Sequence, residues 1–411
     1  NIVHHIGYSG IAIMGSEGRR CSPHVYRNIC HRNMGGGIGS MKKSTAVIEE
    51  NVCFENFYAG IGHADASPTV INNTCYANIR AGIGISEGAS PIVRGNKCYK
   101  NRRAGIGIRT GSNTRPIVED NDCYENAMAG IGNREEAAPT IRNNRCYRNK
   151  LAGIGSRTGA TPTIIGNECY ENELAGIGQQ SDAVTTLIGN YLHHNKTSGI
   201  GFEACKAGQS TVLNNRVIDN AKVAVGINPG WTVRLSGNQL AREGGLPPIV
   251  MVFEGANATF TDNVIRGGGV AGIRVAGVVR ASNNEFAGTS LRRVGPPNFA
   301  IWALAGSNVT MTGNRVHGWR HALHATEATV SASANTVREF GNAAFVVQKA
   351  PSPADVYGNT AISADPKVKV LILDGEAGVV RDNRLMEKAE KAEKVEKAEK
   401  VEKAEKTKQP Q

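Results

Sequence analysis

The stretch NRCYRNKLAGIG at residues 144–155 returns 23 residues later as NECYENELAGIG at residues 167–178. It also appears 23 residues earlier, as NDCYENAMAGIG at residues 121–132. A repeat of this length is too short for a pair of helices and fits a coil of three short strands joined by turns. The sequence therefore predicts a solenoid, in which each coil contacts only its neighbours.

Each repeat starts at an asparagine that stands two positions before a cysteine or an apolar residue. Most starts are 21 to 27 residues apart, and only the step from Asn284 to Asn314 is longer, at 30. Stacked at ~4.8 Å, the coils would make a rod of roughly 75–80 Å. We number 17 coils by their starts at Asn1, Asn28, Asn51, Asn73, Asn96, Asn121, Asn144, Asn167, Asn190, Asn215, Asn238, Asn263, Asn284, Asn314, Asn335, Asn359 and Asn383.

Three apolar columns predict the interior of this stack. The first is Cys30, Cys53, Cys75, Cys98, Cys123, Cys146 and Cys169, continued by Leu192, Val217, Leu240, Ile265 and Phe286. The second is the isoleucine of each Gly-Ile-Gly, and the third follows a proline, as in Val70, Val93, Val118, Ile141 and Ile164. Because aliphatic residues replace cysteine along one column, that column is interpreted as core. The fold class is therefore all-β, a parallel β-helix of about 16–17 coils.

Polar columns support the same register. Two asparagine columns bracket the first strand, and stacked amides can hydrogen-bond from coil to coil. The exposed positions one and four residues after each start alternate in charge along the stack, as laterally paired residues of a parallel sheet should.

This pattern resembles the right-handed parallel β-helix repeats of the pectin-lyase-like superfamily, which includes carbohydrate-binding and sugar-hydrolysing domains. The resemblance covers regular coils over 1–237 and degenerate coils of the same solenoid over 238–385. It implies a polysaccharide partner. However, the Asn-Thr-Asp, Asp-Asp, Gly-His-Gly and Arg-Ile-Lys set of polygalacturonases and the Asp-Pro-His-Asp of mannuronan epimerases are absent. Whether the chain is an enzyme therefore stays open.

The ends of the sequence differ from the repeats. Residues 386–411 are Glu-Lys-Ala/Val triplets, which predict a charged helical or disordered tail. The first coil starts inside a repeat without an initiator methionine, so we expect residues upstream to have been removed or to be absent.

The net charge of +11 on 411 residues favours an acidic partner, and an acidic polysaccharide is the leading candidate. Aromatic residues do not interleave with a dense cationic cluster, which argues against nucleic acid. No apolar run approaches the ~20 residues of a transmembrane helix. An uncovered end coil could also associate with another copy through its strand edges.

Seven of the nine cysteines share one inward column and contain no Cys-x-x-Cys pair. We interpret them as small core residues, with metal binding or disulfides along the stack as the alternative. Unpaired cysteines suit a reducing compartment, whereas the resemblance suits the extracellular space or the cell envelope, including the periplasm; a cytoplasmic location stays possible.

Two columns could contact a ligand. The tyrosines Tyr99, Tyr124, Tyr147 and Tyr170 could stack on sugar rings, although stacking on one another is the favoured interpretation.

The turn after Gly-Ile-Gly is the position whose side chains differ most from coil to coil. It carries carboxylates that could act in glycoside hydrolysis and arginines that could hold uronates or assist β-elimination. Its candidates are His63 and Asp65 for substrate binding and Glu87, Arg109, Arg134, Glu135 and Arg157 for catalysis. An ordinary solvated turn is the alternative.

His317, His321 and His324 fall in one coil and are weak candidates for a metal site; no cofactor is predicted. The leading hypothesis is a binding or scaffold rod that presents a long face to polysaccharide. The alternatives are a polysaccharide lyase or glycoside hydrolase, and an assembly protein that stacks end to end.

Overall fold

The computed structural model describes residues 1–16, 21–244 and 246–387. Within these ranges every regular element is a β-strand, and the strands form three parallel sheets of 17, 16 and 16 strands. Successive strands of the chain enter the three sheets in rotation, so each coil stacks on the one before it. This arrangement confirms the predicted right-handed parallel β-helix.

The first sheet comprises Ile2–His4, Ile29–His31, Val52–Phe54, Thr74–Tyr76, Lys97–Tyr99, Asp122–Tyr124, Arg145–Tyr147, Glu168–Tyr170, Tyr191–His193, Arg216–Ile218, Gln239–Arg242, Val264–Gly267, Glu285–Gly288, Arg315–His317, Thr336–Arg338, Thr360–Ser363 and Arg384–Glu387. The second sheet comprises Ile11–Met14, Ile38–Met41, Ile61–Ala64, Ile83–Ser86, Ile106–Ile108, Ile131–Asn133, Ile154–Ser156, Ile177–Gln179, Ser198–Phe202, Val223–Ile227, Val250–Val252, Ala271–Val275, Phe299–Ala303, His321–Thr326, Ala343–Gln348 and Lys369–Asp374. The third sheet comprises His24–Tyr26, Val47–Glu49, Thr69–Ile71, Ile92–Arg94, Ile117–Glu119, Thr140–Arg142, Thr163–Ile165, Val184–Ile188, Gly208–Leu213, Trp231–Ser236, Asn257–Thr261, Val278–Ser282, Asn308–Thr312, Thr329–Ser333, Ala354–Tyr357 and Ala377–Arg381.

The cysteine column runs through the interior of the first sheet. Cys75 pairs in register with Cys98, and Cys98 pairs with Cys123. All seven column members have no exposed surface, and all nine cysteines are free thiols. Burial raises the pKa of the Cys146 thiol, so its neutral form is the stable one. The predicted core role of this column is confirmed.

The asparagine columns form continuous ladders of hydrogen bonds. The Asn126 side-chain amide donates to Asn149 Oδ1 at 3.0 Å and to the Cys98 carbonyl at 3.0 Å. The backbone N–H of Asn126 also donates to Asn149 Oδ1, at 3.1 Å. Each buried amide thus satisfies turn groups that would otherwise be left unpaired in the interior, which is costly.

The second half continues the same stack with larger interior side chains. Gln239–Arg242 pairs with both its predecessor and its successor in the first sheet, so no break occurs at residue 238. Trp231, Phe260, Phe286 and Trp319 are fully buried. Coils 10 to 14 therefore replace small core residues with bulky ones while the backbone pairing stays in register.

The last described strand ends at Glu387, and the predicted tail beyond it lies outside the described residues. The described part of the chain contains no helix with the length and apolarity to cross a membrane.

Candidate binding groove on the second sheet

A groove runs along the outer face of the second sheet and has a floor of glycine. Its volume is about 1420 Å³. Along the floor, the outward-facing residue of each strand is a glycine in nine consecutive coils, each paired in register with the next. These residues are Gly39, Gly62, Gly84, Gly107, Gly132, Gly155, Gly178, Gly201 and Gly226.

Backbone conformation explains none of these glycines, and packing explains few of them: an added Cβ would meet Ser9 Oγ at 3.2 Å on Gly39, Ala152 Cβ at 3.3 Å on Gly178 and Ser198 Oγ at 2.9 Å on Gly201. None of the nine has a φ in the left-handed region. A Cβ atom built on Gly62 meets nothing within 4 Å, and one on Gly155 meets only the Ala129 Cβ at 3.8 Å. Glycine weakens the interior of a strand and often marks a site where a ligand or another backbone approaches closely. The nine glycines are therefore candidates for contact with a ligand.

Two walls flank the floor. The leading wall comes from the turn before the second-sheet strand and comprises Tyr58, Arg80, Arg103, Met128, Leu151, Leu174, Thr197 and Lys222. The trailing wall comes from the residue that follows the inward end of each strand, which is the last strand residue at Ala64 and Ser86 and the first turn residue in the later coils. It comprises Ala64, Ser86, Arg109, Arg134, Arg157, Gln180, Glu203 and Asn228. The wall residues stack coil on coil through backbone hydrogen bonds such as Leu151 N–H to the Met128 carbonyl.

Three arginines occupy consecutive positions of the trailing wall. Arg134 N–H donates to the Ile108 carbonyl, and Arg157 N–H donates to the Asn133 carbonyl, so Arg109, Arg134 and Arg157 lie on adjacent coils. Burial lowers the pKa of Arg134, and the positive charges of Arg157, Arg109 and Arg103 lower it further, while Glu135 opposes them. Like charges on adjacent coils repel one another and destabilise the stack.

Several arginines on the other faces of the rod are neutralised by carboxylates of adjacent coils. Arg145 lies 2.7 Å from Asp122 on the coil before it, and Arg148 lies 2.7 Å from Glu171 on the coil after it. Glu119, which is buried, accepts hydrogen bonds from Arg94 and Arg142 on its two sides. In the described part of the chain, Arg109 and Arg157 form no such pair. Two of the three arginines of the trailing wall therefore carry charge that no carboxylate of the described residues neutralises, whereas Arg134 pairs with Glu135.

The carboxylates predicted for catalysis lie at the trailing wall. Glu87 lines the groove one coil before Arg109, whereas Glu135 contacts the Arg134 Nε at 3.2 Å and accepts a hydrogen bond from Thr110. Both occupy left-handed turn positions, with φ of 58° and 56°. They are two coils apart, roughly 9–10 Å along the rod.

The prediction that His63 lies in the turn is wrong. The strand Ile61–Ala64 extends through it, and pairing with Ser40 and Ile85 turns its ring inward. It is 3% exposed, burial lowers its pKa to about 3, and both ring nitrogens lack a hydrogen-bond partner among the described residues. Asp65 does lie in the turn, where it pairs with Lys43.

The tyrosine column lies on the outer face of the first sheet, away from the groove. Tyr99, Tyr124, Tyr147 and Tyr170 stack with ring centroids 4.9 Å apart and nearly parallel planes. Both faces of each ring are covered, because Tyr76 and His193 continue the stack at its ends. Only the ring edges meet solvent, which leaves no free face for a sugar.

The three histidines of coil 14 are divided between two sheets. His317 is on the first sheet, 3.5 Å from Glu285, while His321 and His324 stack against Phe299 on the second. Burial lowers the pKa of His321 to about 4. Residues 1–16, 21–244 and 246–387 hold no group of three or more His, Cys, Asp or Glu side chains suited to a metal ion.

Sequence reasoning missed the groove itself. The two glycines of Gly-Ile-Gly carry different constraints: a Cβ on Gly153 would meet the Gly176 carbonyl oxygen at 2.7 Å, whereas Gly155 faces open space. The leading wall was missed because its members, such as Met128 and Leu151, share no residue type. The available signal was the second glycine, since an outward strand position does not require one.

One protein-family model matches the amino-acid sequence of this chain. The family model described as right handed beta helix region matches residues 1–116 and 92–240, which together make up more than half of the chain. No curated protein sequence is significantly similar to it.

Solved structures with the same kind of fold are remote. The A-module of Azotobacter vinelandii mannuronan C-5 epimerase AlgE6 is 13% identical, with a TM-score of 0.38 over 77% of this chain and 90% of that one. The periplasmic alginate epimerase AlgG is 9% identical, with a TM-score of 0.42 over 82% and 77%. At this distance neither likeness bears on the ligand. The chain belongs to the right-handed β-helix family.

Proposed function

We propose that the protein binds an anionic polysaccharide, which lies along the groove of the second sheet. The observation that carries this proposal is a floor of glycine beside three stacked arginines, of which Arg109 and Arg157 form no ion pair among the described residues. Both features cost stability, since glycine weakens strands and stacked like charges repel. A bound polyanion explains both, because it lies flat on the floor and neutralises the wall.

The length of the groove suits a polymer chain in an extended conformation. Nine floor glycines span eight coil steps, roughly 38 Å. Similar groups recur at each step, so a chain of repeating units meets similar contacts along its length. Guanidinium groups bind carboxylates through paired hydrogen bonds, which suits uronate units on the side of Arg109, Arg134 and Arg157.

The test is a pair of bulky substitutions in coil 6. Gly132→Trp fills the floor, where a Cβ meets only alanine Cβ atoms at 3.8–4.0 Å, while Thr140→Trp adds the same side chain on the third sheet. Binding of polygalacturonate, neutral dextran and single-stranded DNA is measured by calorimetry. We expect the wild type and Thr140→Trp to bind polygalacturonate and Gly132→Trp to lose at least tenfold in affinity.

Three results would overturn the proposal: no binding of polygalacturonate by the wild type, equal binding by both variants, or tighter binding of DNA than of the polysaccharide in the same groove. Folding of both variants is checked by circular dichroism and thermal unfolding.

A second candidate function is cleavage of the bound polymer. The observation that favours it is Glu87, a carboxylate that lines the groove one coil from Arg109. A positioned carboxylate can act as general acid or base beside an arginine that holds the uronate. Incubation with polygalacturonate should then yield new reducing ends or unsaturated products, and Glu87→Gln should abolish them while binding persists. Binding without any product would leave the protein as a binding rod.

A further inference from the structure

The two walls of the groove differ in chemistry in coils 6 to 8. Arg134 and Arg157 stand on the trailing wall, and Met128 and Leu151 stand on the leading wall of the same two coils. In coil 8, Leu174 faces the groove opposite Gln180. The middle of the groove is therefore cationic along one edge and apolar along the other.

The apolar edge is exposed and continuous. Leu151 is 38% exposed and Leu174 is 40% exposed. Leu174 N–H donates to the Leu151 carbonyl, so the two side chains project from stacked positions. Ala129, Ala152 and Ala175, each 7–8% exposed, lie beside the floor glycines and extend the strip towards the centre.

The turn itself does not require apolar residues. The same position is Tyr58, Arg80 and Arg103 in earlier coils and Thr197 and Lys222 in later ones, with the same backbone stacking. Exposed leucines stacked on adjacent coils inside a groove, unlike scattered ones, indicate a contact surface.

An unsubstituted polyuronate complements the arginine edge of the groove but not the apolar edge. Its second edge carries hydroxyl groups, and pressing them against leucine removes their water without supplying a hydrogen-bond partner. In a small acyl ester the hydroxyl hydrogen is replaced by an acyl group, which removes the donor and ends in a methyl group that leucine and methionine can cover favourably.

We propose that the groove selects an O-acylated anionic polysaccharide, with its carboxylates against Arg134 and Arg157 and its acyl groups against Met128, Leu151 and Leu174. This inference rests on the proposed function and names the substrate class of the same site.

The test compares O-acetylated polygalacturonate with the same preparation after mild alkaline de-O-acetylation, matched in chain length. We expect the wild type to bind the acetylated polymer about tenfold more tightly, because at least two acetyl methyls are buried per bound chain. The variant Leu151→Asn/Leu174→Asn should lose that preference and keep its affinity for the deacetylated polymer. The control Ile92→Asn/Val264→Asn changes two side chains of 38% exposure on the other sheets and should keep the preference.

The outcomes separate the two proposals. If neither polymer binds the wild type, the proposed function fails and this inference fails with it. If both bind equally well, or if the preference survives in the leucine variant, the acyl inference alone is overturned and anionic binding stands.

Discussion

The two glycines that flank Ile154 differ in what surrounds them. A Cβ on Gly153 would lie 2.8 Å from the Cys169 Cβ and 2.7 Å from the Gly176 carbonyl oxygen, so the backbone of the next coil excludes a side chain there. Gly155 has only the Ala129 Cβ within reach, at 3.8 Å, and an ordinary φ. The first glycine is thus required by packing, whereas packing does not require the second.

Because their surroundings differ, valine substitutions at the two glycines should have opposite effects on the free energy of unfolding. Gly155→Val should stabilise the protein by roughly 0.5–1 kcal/mol, because valine favours strands and loses less backbone entropy than glycine. It should also weaken polygalacturonate binding. The matched change Gly153→Val should destabilise by at least ~1–3 kcal/mol through overpacking. Urea unfolding midpoints measure both, and destabilisation by Gly155→Val would show that packing, not a ligand, requires that glycine.

At the scale of the element, the first sheet is held by its interior columns. Seven thiols are fully buried, whereas Cys21 and Cys205 are partly exposed. The seven stack in register beneath the asparagine ladder, and the next coils place Leu192 and Val217 in the same column. Cysteine here serves as a small apolar side chain.

Thiol reactivity should therefore divide the cysteines in two groups. In the native protein an aromatic disulfide reagent should modify two of the nine thiols, Cys21 and Cys205, and in urea it should modify all nine. The Cys21→Ser/Cys205→Ser variant should show no fast native reaction. Rapid labelling of Cys123 or Cys146 in the native protein, identified by mass spectrometry, would contradict a closed interior.

The sequence predicted these elements because their pattern is local to each coil. Cys98 and Ile106 recur at fixed offsets from Asn96, Val118 lies two residues after the proline of its coil, and the structure buries all three. It placed His63 wrongly because the position two residues after the isoleucine belongs to the strand and not to the turn. Ile85 and Ile108 occupy this inward position in the next two coils, and His63 pairs in register with Ile85.

At the scale of the whole molecule, the charge is distributed unevenly. The chain carries a net charge of +11, yet stacked charges on the first and third sheets pair across coils, as Arg145 does with Asp122. The trailing wall of the groove leaves Arg109 and Arg157 without such pairs among the described residues. These two arginines therefore place unpaired positive charge beside the glycine floor, where it can attract an anionic ligand.

The dependence of polygalacturonate binding on ionic strength should show the contribution of the groove arginines. The affinity for polygalacturonate should fall as salt rises, because salt screens exposed charges. Arg109→Gln/Arg157→Gln should lower the affinity by roughly tenfold at low salt and flatten the salt dependence. Arg234→Gln/Arg280→Gln removes the same charge from the third sheet and should change little. Equal losses in both variants would mean that the polymer responds to net charge and not to the groove.

The coil, the register and the interior of this protein can be predicted from its amino-acid sequence. Each is set within a single repeat, by the alternation of side chains along a strand and by asparagine at the turns. Which face forms the groove follows from the folded structure and not from any one repeat. Its floor and walls consist of single residues contributed by successive coils, such as Gly132 and Gly155, and their outward direction depends on how three sheets close around one core.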